Sequence, residues 1–204
     1  MPGDPRKTRG QPARPRSGFL AAALISAVCV IAPAAAPLIV RDLDGRQQTP
    51  FTPPAGGASV VFFINVDCPV SNRYAPEIAR IAADYRDKPV RAYVVYADAR
   101  LEPARAREHA SAYHAGARLP AIIDSAWTLT SAAGVNVTPS AAVYTSSGRV
   151  YRGRIDDWYV RLGQNRREAV QRDVRLTLDA VLAGRPVPAA ETTAVGCYID
   201  RRER

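Results

Sequence analysis

Residues 58–72 have the sequence ASVVFFINVDCPVSN. The first part, Ala58–Val66, is almost entirely apolar and rich in β-branched side chains, which is typical of a strand buried on both faces of a sheet. Pro69 suits the first turn of a helix, because its missing N–H leaves no hydrogen bond unmade there. The stretch therefore predicts a central strand that leads, through Cys68, directly into a helix.

Elements of both kinds alternate around this stretch. Composition and apolar spacing predict helices at residues 72–86, 102–114, 125–133 and 166–183, the last with Val170, Val174, Leu178 and Leu182 on one side. Short apolar runs predict strands at residues 38–45, 58–66, 90–96, 120–123, 141–144 and 150–155, and the last two form a hairpin. Strands that alternate with helices pair in parallel, and a hairpin adds antiparallel strands. We therefore expect an α/β fold with a central mixed sheet flanked by helices.

The composition describes a globular chain of 204 residues, 47% of them hydrophobic, with room for one domain plus attachments. The net charge is +9, but residues 1–36 hold five basic residues and one acidic residue, which leaves +5 for the remainder. That remainder has no lysine-rich stripe and no aromatic motif of the RNA-binding kind. Nucleic acid is therefore not a predicted partner.

The N-terminal segment, residues 1–36, has the order of a secretory signal peptide. A basic stretch precedes the apolar run Phe19–Ile31, and small residues follow with a cleavage site near Ala34 or Ala36. The run is shorter than the roughly 20 residues that span a bilayer. An uncleaved anchor is the alternative, since apolar residues continue to Val40. We expect an exported protein, either periplasmic or tethered to the inner membrane and facing the periplasm, with membrane contact only if the segment stays uncleaved.

Cleavage would remove Cys29 and leave two cysteines, Cys68 and Cys197. Cys197 lies in a proline-rich tail, residues 184–204, that shows no periodicity. From Gly184 the extended chain spans roughly 40 Å, so the tail is long enough to fold back to Cys68. Cys197 would then resolve a sulfenic acid on Cys68 or form a regulatory or structural disulfide. Alternatively it pairs with nothing in this chain.

Four segments carry a resemblance to a known family. Phe62–Asn72 is similar to the active-site strand, turn and helix start of the redoxins, the thioredoxin-fold family that includes peroxiredoxins and thioredoxin-like thiol oxidoreductases. Gly134–Pro139 resembles the family's cis-proline loop, and Ser147–Gly153 resembles its closing hairpin. Val195–Cys197 resembles an element of an exported bacterial subgroup with the same Cys-Pro-x-Ser-Asn start. The resemblance implies a thioredoxin-like domain over residues 37–183 followed by the tail.

The resemblance also implies site residues. Cys68 would be the nucleophile, because unpaired N–H groups and the dipole at a helix start favour the reactive thiolate. Ser71, three residues on, lies on the same face and is able to donate a hydrogen bond to the sulfur. A cis peptide bond between Thr138 and Pro139 would place a backbone edge beside Cys68. The alternatives are a buried, inert Cys68 and an ordinary trans turn at Pro139.

The sequence departs from both consensus patterns of the family. Ser71 stands where a dithiol thioredoxin has its second cysteine. Asn65 and Val61 stand where a peroxiredoxin has threonine and proline. Three functions stay open: a thiol-disulfide oxidoreductase acting on protein or small-molecule thiols and disulfides, a peroxide-reducing antioxidant, and a non-catalytic binding module.

No metal or other cofactor is expected. The copper-chaperone relatives of this fold have a second cysteine where this chain has Asn72. His109 and His114 are five residues apart, too far round a helix to bind one metal together, and we expect both to be exposed. Glu77 is expected to be a surface charge, and Asp156 and Asp157 either line a partner groove or cap a loop.

Overall fold

The computed structural model describes residues 36–114 and 118–201. Residues 1–35, with most of the predicted signal peptide and Cys29, lie outside the described residues. Within the described ranges, no helix has the length and hydrophobicity that a membrane crossing requires.

The described chain contains four helices and eleven short or medium strands. The helices are α1 (Pro69–Asp84), α2 (Pro103–His114), α3 (Thr128–Ala133) and α4 (Asp173–Leu182). The strands are β1 (Val40–Arg41), β2 (Gln47–Gln48), β3 (Ala58–Ile64), β4 (Val90–Tyr96), β5 (Ala121–Ile123), β6 (Val137–Thr138), β7 (Ser140–Thr145), β8 (Gly148–Gly153), β9 (Tyr159–Arg161), β10 (Gln164–Asn165) and β11 (Cys197–Tyr198).

Five strands form the central sheet in the order β5-β4-β3-β7-β8. β3 pairs in parallel with β4, and β4 pairs in parallel with β5, while β7 lies antiparallel to both β3 and β8. A parallel β-α-β half therefore continues into an antiparallel hairpin and a last helix. This mixed sheet with flanking helices confirms the predicted thioredoxin-like fold.

β3 is the centre of the core, and all seven of its residues are buried. Successive side chains of a strand point to opposite faces. Phe62 therefore packs in a cluster with residues of α1, α2 and α4, and Phe63 packs in a second cluster with residues of α3. Burying one phenylalanine stabilises the fold by about 1.5–3 kcal/mol. The sheet thus holds the end of β3, and with it Cys68, in a fixed position.

The last helix differs from its prediction. It begins at Asp173 rather than at residue 166, and Val170, expected on its apolar side, is 75% exposed. The buried Asp157 carboxylate explains the difference, since it accepts the backbone N–H groups of Val170 and Gln171 at 2.7 and 2.8 Å. These bonds hold the segment as a loop, and the preceding residues 159–165 form the small hairpin of β9 and β10.

The tail is more ordered than its sequence indicates. It runs along β8, where the Arg152 N–H donates to the Ala190 carbonyl at 2.9 Å and the Thr192 N–H donates to the Arg152 carbonyl at 3.1 Å. Glu191 pairs with the Arg152 guanidinium at 2.8 Å. Farther on, β11 pairs antiparallel with β6. The chain therefore does fold back across the domain, with Cys197 in its final strand.

Candidate active site

Cys68 occupies the junction between the core strand and α1. It is the N-cap residue of the helix, with φ −88° and ψ 109°, and its carbonyl accepts the Asn72 N–H at 3.1 Å. Pro69 takes the first helical position, as its sequence context predicts. The residue is only 1% exposed. The thiol therefore sits at the positive end of a helix and is largely shielded from solvent.

Hydrogen bonds favour the ionised form of this thiol. Burial by itself would raise the pKa of Cys68. Bonds from the Cys197 thiol, from the Ser71 hydroxyl and from the backbone N–H groups of Ser71 and Val70 outweigh it, so the pKa lies below its ordinary value of 9.0. Ser71 is itself buried, and its oxygen also accepts the Asn65 N–H at 3.4 Å. A thiolate at Cys68 thus has a prepared set of donors.

The loop opposite Cys68 contains the predicted proline. The Thr138–Pro139 peptide bond is cis. The Cys68 thiol, when protonated, donates to the Thr138 carbonyl across 3.3 Å. Thr138 is buried and belongs to β6. A backbone edge therefore lies directly beside the sulfur.

The tail brings the second cysteine to the same place. In the pairing of β11 with β6, Cys197 lies opposite Thr138. Gly196 permits this approach, because a Cβ at that position would collide with the Thr138 carbonyl. Burial, the hydrogen bond that Cys197 donates to Cys68 and the charge of that neighbour raise the pKa of Cys197 to about 12. The two free thiols are therefore unequal, with Cys68 the stronger acid.

A small hollow gives access to the pair. Its volume is about 210 Å³. Its lining consists of Asn65, Asp67, Cys68, Thr138, Cys197, Tyr198 and Ile199. Three of these residues come from the tail, so the tail forms one wall of the site.

A chain of hydrogen bonds under α1 was missed by the sequence analysis. His109 is 8% exposed, so the expectation of an exposed side chain was wrong. Its Nδ1 lies 3.0 Å from the Tyr96 hydroxyl, and its Nε2 lies 2.9 Å from Oδ1 of Asn72. Asn72 in turn donates to the Val66 carbonyl at 3.1 Å. These hydrogen bonds fix the turn that carries Cys68. Asn72, in the motif quoted above, was the only signal of this network in the sequence.

The acidic residues considered from sequence have structural partners. The Glu77 carboxylate is mostly buried, contrary to expectation, because it binds Arg80 at 2.8 Å and Arg175 at 2.9 Å. The Asp156 carboxylate accepts the Tyr74 hydroxyl at 2.6 Å. Asp157 caps the loop before α4, as one of its two interpretations proposed.

The structure thus brings Cys68, Ser71, Thr138, Pro139 and Cys197 into one site, while their chemical roles stay predictions. Over residues 36–114 and 118–201, no three histidine, cysteine or acidic side chains are grouped as metal ligands would be.

No protein-family model and no curated protein matches the sequence. Solved structures do match. An uncharacterized conserved protein from Geobacillus kaustophilus is 25% identical, with a TM-score of 0.71, over 83% of this chain and 91% of its own. A hypothetical protein from Sinorhizobium meliloti is 27% identical, with a TM-score of 0.68, over 81% and 91%.

A third match carries a functional description. It is a secreted disulfide oxidoreductase from Mycobacterium tuberculosis, described as homologous to E. coli DsbE. It is 17% identical, with a TM-score of 0.50, over 72% of this chain and 96% of its own. At this identity the match bears on the fold alone. The chain has a thioredoxin-like fold, and its site holds two adjacent thiols.

Proposed function

We propose that this protein is a thiol-disulfide oxidoreductase in which Cys68 is the nucleophile and Cys197 the resolving thiol. The observation that carries the proposal is the pairing of β11 with β6, which sets Cys197 opposite the residue whose carbonyl contacts Cys68. Two unequal thiols in one site suit a two-step exchange, since the stronger acid attacks first.

The chemistry follows from these positions. The Cys68 thiolate attacks one sulfur of a substrate disulfide, and the other substrate sulfur leaves as a thiolate. The resulting mixed disulfide removes the negative charge from Cys68, which is one of the causes of the raised Cys197 pKa. Cys197 then loses its proton more readily and attacks the Cys68 sulfur. The substrate leaves as a dithiol with two electrons, and a Cys68–Cys197 disulfide remains.

A peroxide is the second candidate substrate, and the small volume of the hollow favours it. Attack of Cys68 on the peroxide oxygen would give a sulfenic acid and an alcohol or water, and Cys197 would condense with it, releasing water. Asn65 counts against this function, because its side chain accepts the Asp67 N–H at 2.8 Å and contacts Asp98 at 3.5 Å. That amide is committed to the turn rather than to orienting a substrate.

We further propose that the protein acts after export. The support is the order of the N-terminal segment, together with two cysteines placed close enough to form a disulfide, a bond that persists in an oxidising compartment. N-terminal sequencing of the protein from the periplasmic fraction of a bacterial host tests this. A mature end near residue 35 or 37 supports it, and a cytoplasmic chain with an intact N-terminus contradicts it.

The activity test uses the reduced full chain with Cys29→Ser, so that two cysteines remain. It is mixed with one equivalent of a disulfide-bonded peptide or of hydrogen peroxide, acid-quenched, alkylated and mapped by mass spectrometry. We expect a Cys68–Cys197 disulfide and one equivalent of peptide dithiol. Cys197→Ser should trap the peptide on Cys68. Equal turnover in Cys68→Ser would overturn the proposal, and reaction with peroxide alone would replace it by the second candidate.

A further inference from the structure

The two sulfurs of the proposed pair face different surroundings. Cys68 is buried at the start of α1, whereas Cys197 is half-buried and also lines a second cavity of about 380 Å³. The remaining lining of this cavity consists of Pro69, Val70, Arg73, Tyr159, Leu162, Gly163 and Asn165. We call it the Cys197 groove. The hairpin of β9 and β10 forms one of its walls.

The Cys197 groove is lined mainly by apolar side chains, namely Pro69, Val70, Tyr159 and Leu162. Leu162, at the turn of the hairpin, is 62% exposed. Exposed apolar surface rimmed by polar residues marks interaction sites. These apolar side chains share the groove with a sulfur that is able to exchange.

The charge that lines the groove is positive. Arg73 is the one charged residue among those that line the Cys197 groove, and it also borders a neighbouring cavity that contains Arg167 together with Glu168 and Asp156. Arg161 precedes Leu162 in the hairpin. Arg73 and Arg161 are both exposed. A partner that places acidic side chains beside apolar ones would complement this surface.

From these observations we infer that a polypeptide reductant docks in the Cys197 groove and attacks Cys197, not Cys68, of the oxidised pair. The partner's cysteine is flanked by apolar and acidic residues. This inference rests on the proposed function. It separates the entry of the oxidising substrate, at Cys68, from the entry of the reductant, at Cys197.

The exchange balances as two thiol-disulfide steps. The partner's thiolate attacks the Cys197 sulfur, the Cys68–Cys197 bond breaks, and Cys68 leaves as a thiolate. A second thiol of the partner then attacks the partner's own sulfur and releases Cys197, which takes up a proton. The partner becomes a disulfide, and two electrons enter the protein. The Ser71 hydroxyl and the backbone N–H groups of Ser71 and Val70 remain in place to stabilise Cys68 as it leaves as a thiolate, which favours attack at Cys197.

The experiment starts from the full chain with Cys29→Ser, oxidised with one equivalent of diamide and checked by mass spectrometry for the Cys68–Cys197 disulfide. The probe is a synthetic peptide with a single cysteine flanked by leucines and glutamates, used in stoichiometric amount. A second peptide carries lysines in place of the glutamates, and free glutathione represents a small thiol. The reaction is quenched with acid before a tenth of the disulfide has reacted. Free thiols are then alkylated, and the modified cysteines are mapped by mass spectrometry.

We expect the acidic peptide on Cys197 with Cys68 alkylated, and a rate about tenfold above that of the lysine peptide. Leu162→Ser and Arg73→Glu should each slow the acidic peptide about fivefold or more. Leu176→Ser on α4 and Arg86→Glu after α1 are the matched controls, because both positions are exposed and neither lines the groove. The controls should react at the parent rate.

Three results would overturn the inference. Peptide found first on Cys68 would show that the reductant attacks Cys68 rather than Cys197, while leaving the proposed function intact. Equal rates for both peptides and glutathione, unchanged in Leu162→Ser, would show that a small thiol suffices. Failure of the Cys68–Cys197 disulfide to form at all would remove the proposed function together with this inference.

Discussion

Cys68 and Cys197 meet in one site, but different kinds of structure hold them there. Cys68 follows a fully buried strand and begins a 16-residue helix, so the whole core fixes its position. Cys197 belongs to a two-residue strand that touches the domain through edge hydrogen bonds and a close glycine contact. Cys68 is therefore part of the core, while Cys197 belongs to the C-terminal tail that begins at Gly184, which we call the strap. Mutations in the core and mutations in the strap should therefore affect the two cysteines independently.

The largest expected effect separates the roles of the two thiols. Cys68→Ser should lower disulfide reduction at least about a thousandfold, because the attacking group itself is lost. Cys197→Ser should allow the first attack and stop at the mixed disulfide. Single-turnover assays with mass mapping distinguish the two. Equal losses at the first step would show that the thiols act as one unit, and the comparison would fail.

A second test disturbs the core side through His109. His109→Leu leaves the Tyr96 hydroxyl and the Asn72 amide without this partner, which should lower the free energy of unfolding by about 1–3 kcal/mol. Urea denaturation measures it. Glu108→Leu, at an exposed position on the same helix, is the control. A stability equal to that of the parent would mean that the buried chain of hydrogen bonds contributes nothing.

The same histidine predicts a pH dependence. Burial, and then the charge of Arg105, lower the pKa of His109 from its ordinary value of 6.5, and Asp67 opposes them. Between the folded and unfolded pKa values the unfolded chain binds the extra proton, so stability should fall as the pH drops below about 6.5. Urea midpoints from pH 8 to 5 check this, and His109→Gln should flatten that part of the profile.

The third test disturbs the strap alone. Gly196→Val places a side chain against the Thr138 carbonyl and should detach β11. Formation of the Cys68–Cys197 disulfide should slow about tenfold or more, since it depends on the proximity of the two thiols. Thr193→Val, at an exposed position of the same tail, should leave the rate unchanged. A parental rate in Gly196→Val would show that the strap tolerates the clash.

The smallest effect tests the link between the two regions. Cys197→Ala removes a hydrogen-bond donor to the Cys68 thiolate, so the pKa of Cys68 should rise, and Ser71→Ala should raise it as well. Cys197→Ser retains a donor and is the matched control. The pH dependence of iodoacetamide alkylation at Cys68 gives the pKa in each variant. An unchanged value in Cys197→Ala would show that the strap does not tune the nucleophile.

The core side of the site was predictable because its signals are local. The apolar run of β3, Pro69 and Ser71 are neighbours in sequence, and their periodicity and helix-start chemistry need no knowledge of the rest of the fold. The strap was not predictable, because the match of Cys197 with Thr138 joins residues far apart in the chain. The sequence of the strap shows only that it has enough residues to reach Cys68.

Long-range partners also explain two of the three errors, those at His109 and Val170. His109 lies on a helix of weak amphipathic pattern, and only the arrival of Tyr96 and Asn72 buries it. Val170 fits a helical stripe, but the Asp157 carboxylate holds its backbone in a loop. In both cases a buried polar group from another element outweighed a local preference.

The course of the tail along β8 has a consequence for solubility. β8 is an outer strand of the central sheet, and unpaired outer strands are templates for association with other chains. Ala190 and Thr192 occupy the backbone groups of Arg152 there, and Gly153 leaves room for them. On the opposite border, Leu43 bonds to Ala121 of β5 at 2.8 Å. Both edges of the sheet are thereby protected from pairing with other chains. A chain truncated before Ala190 would expose the edge of β8 while it folds, and we expect it to associate with other chains more readily.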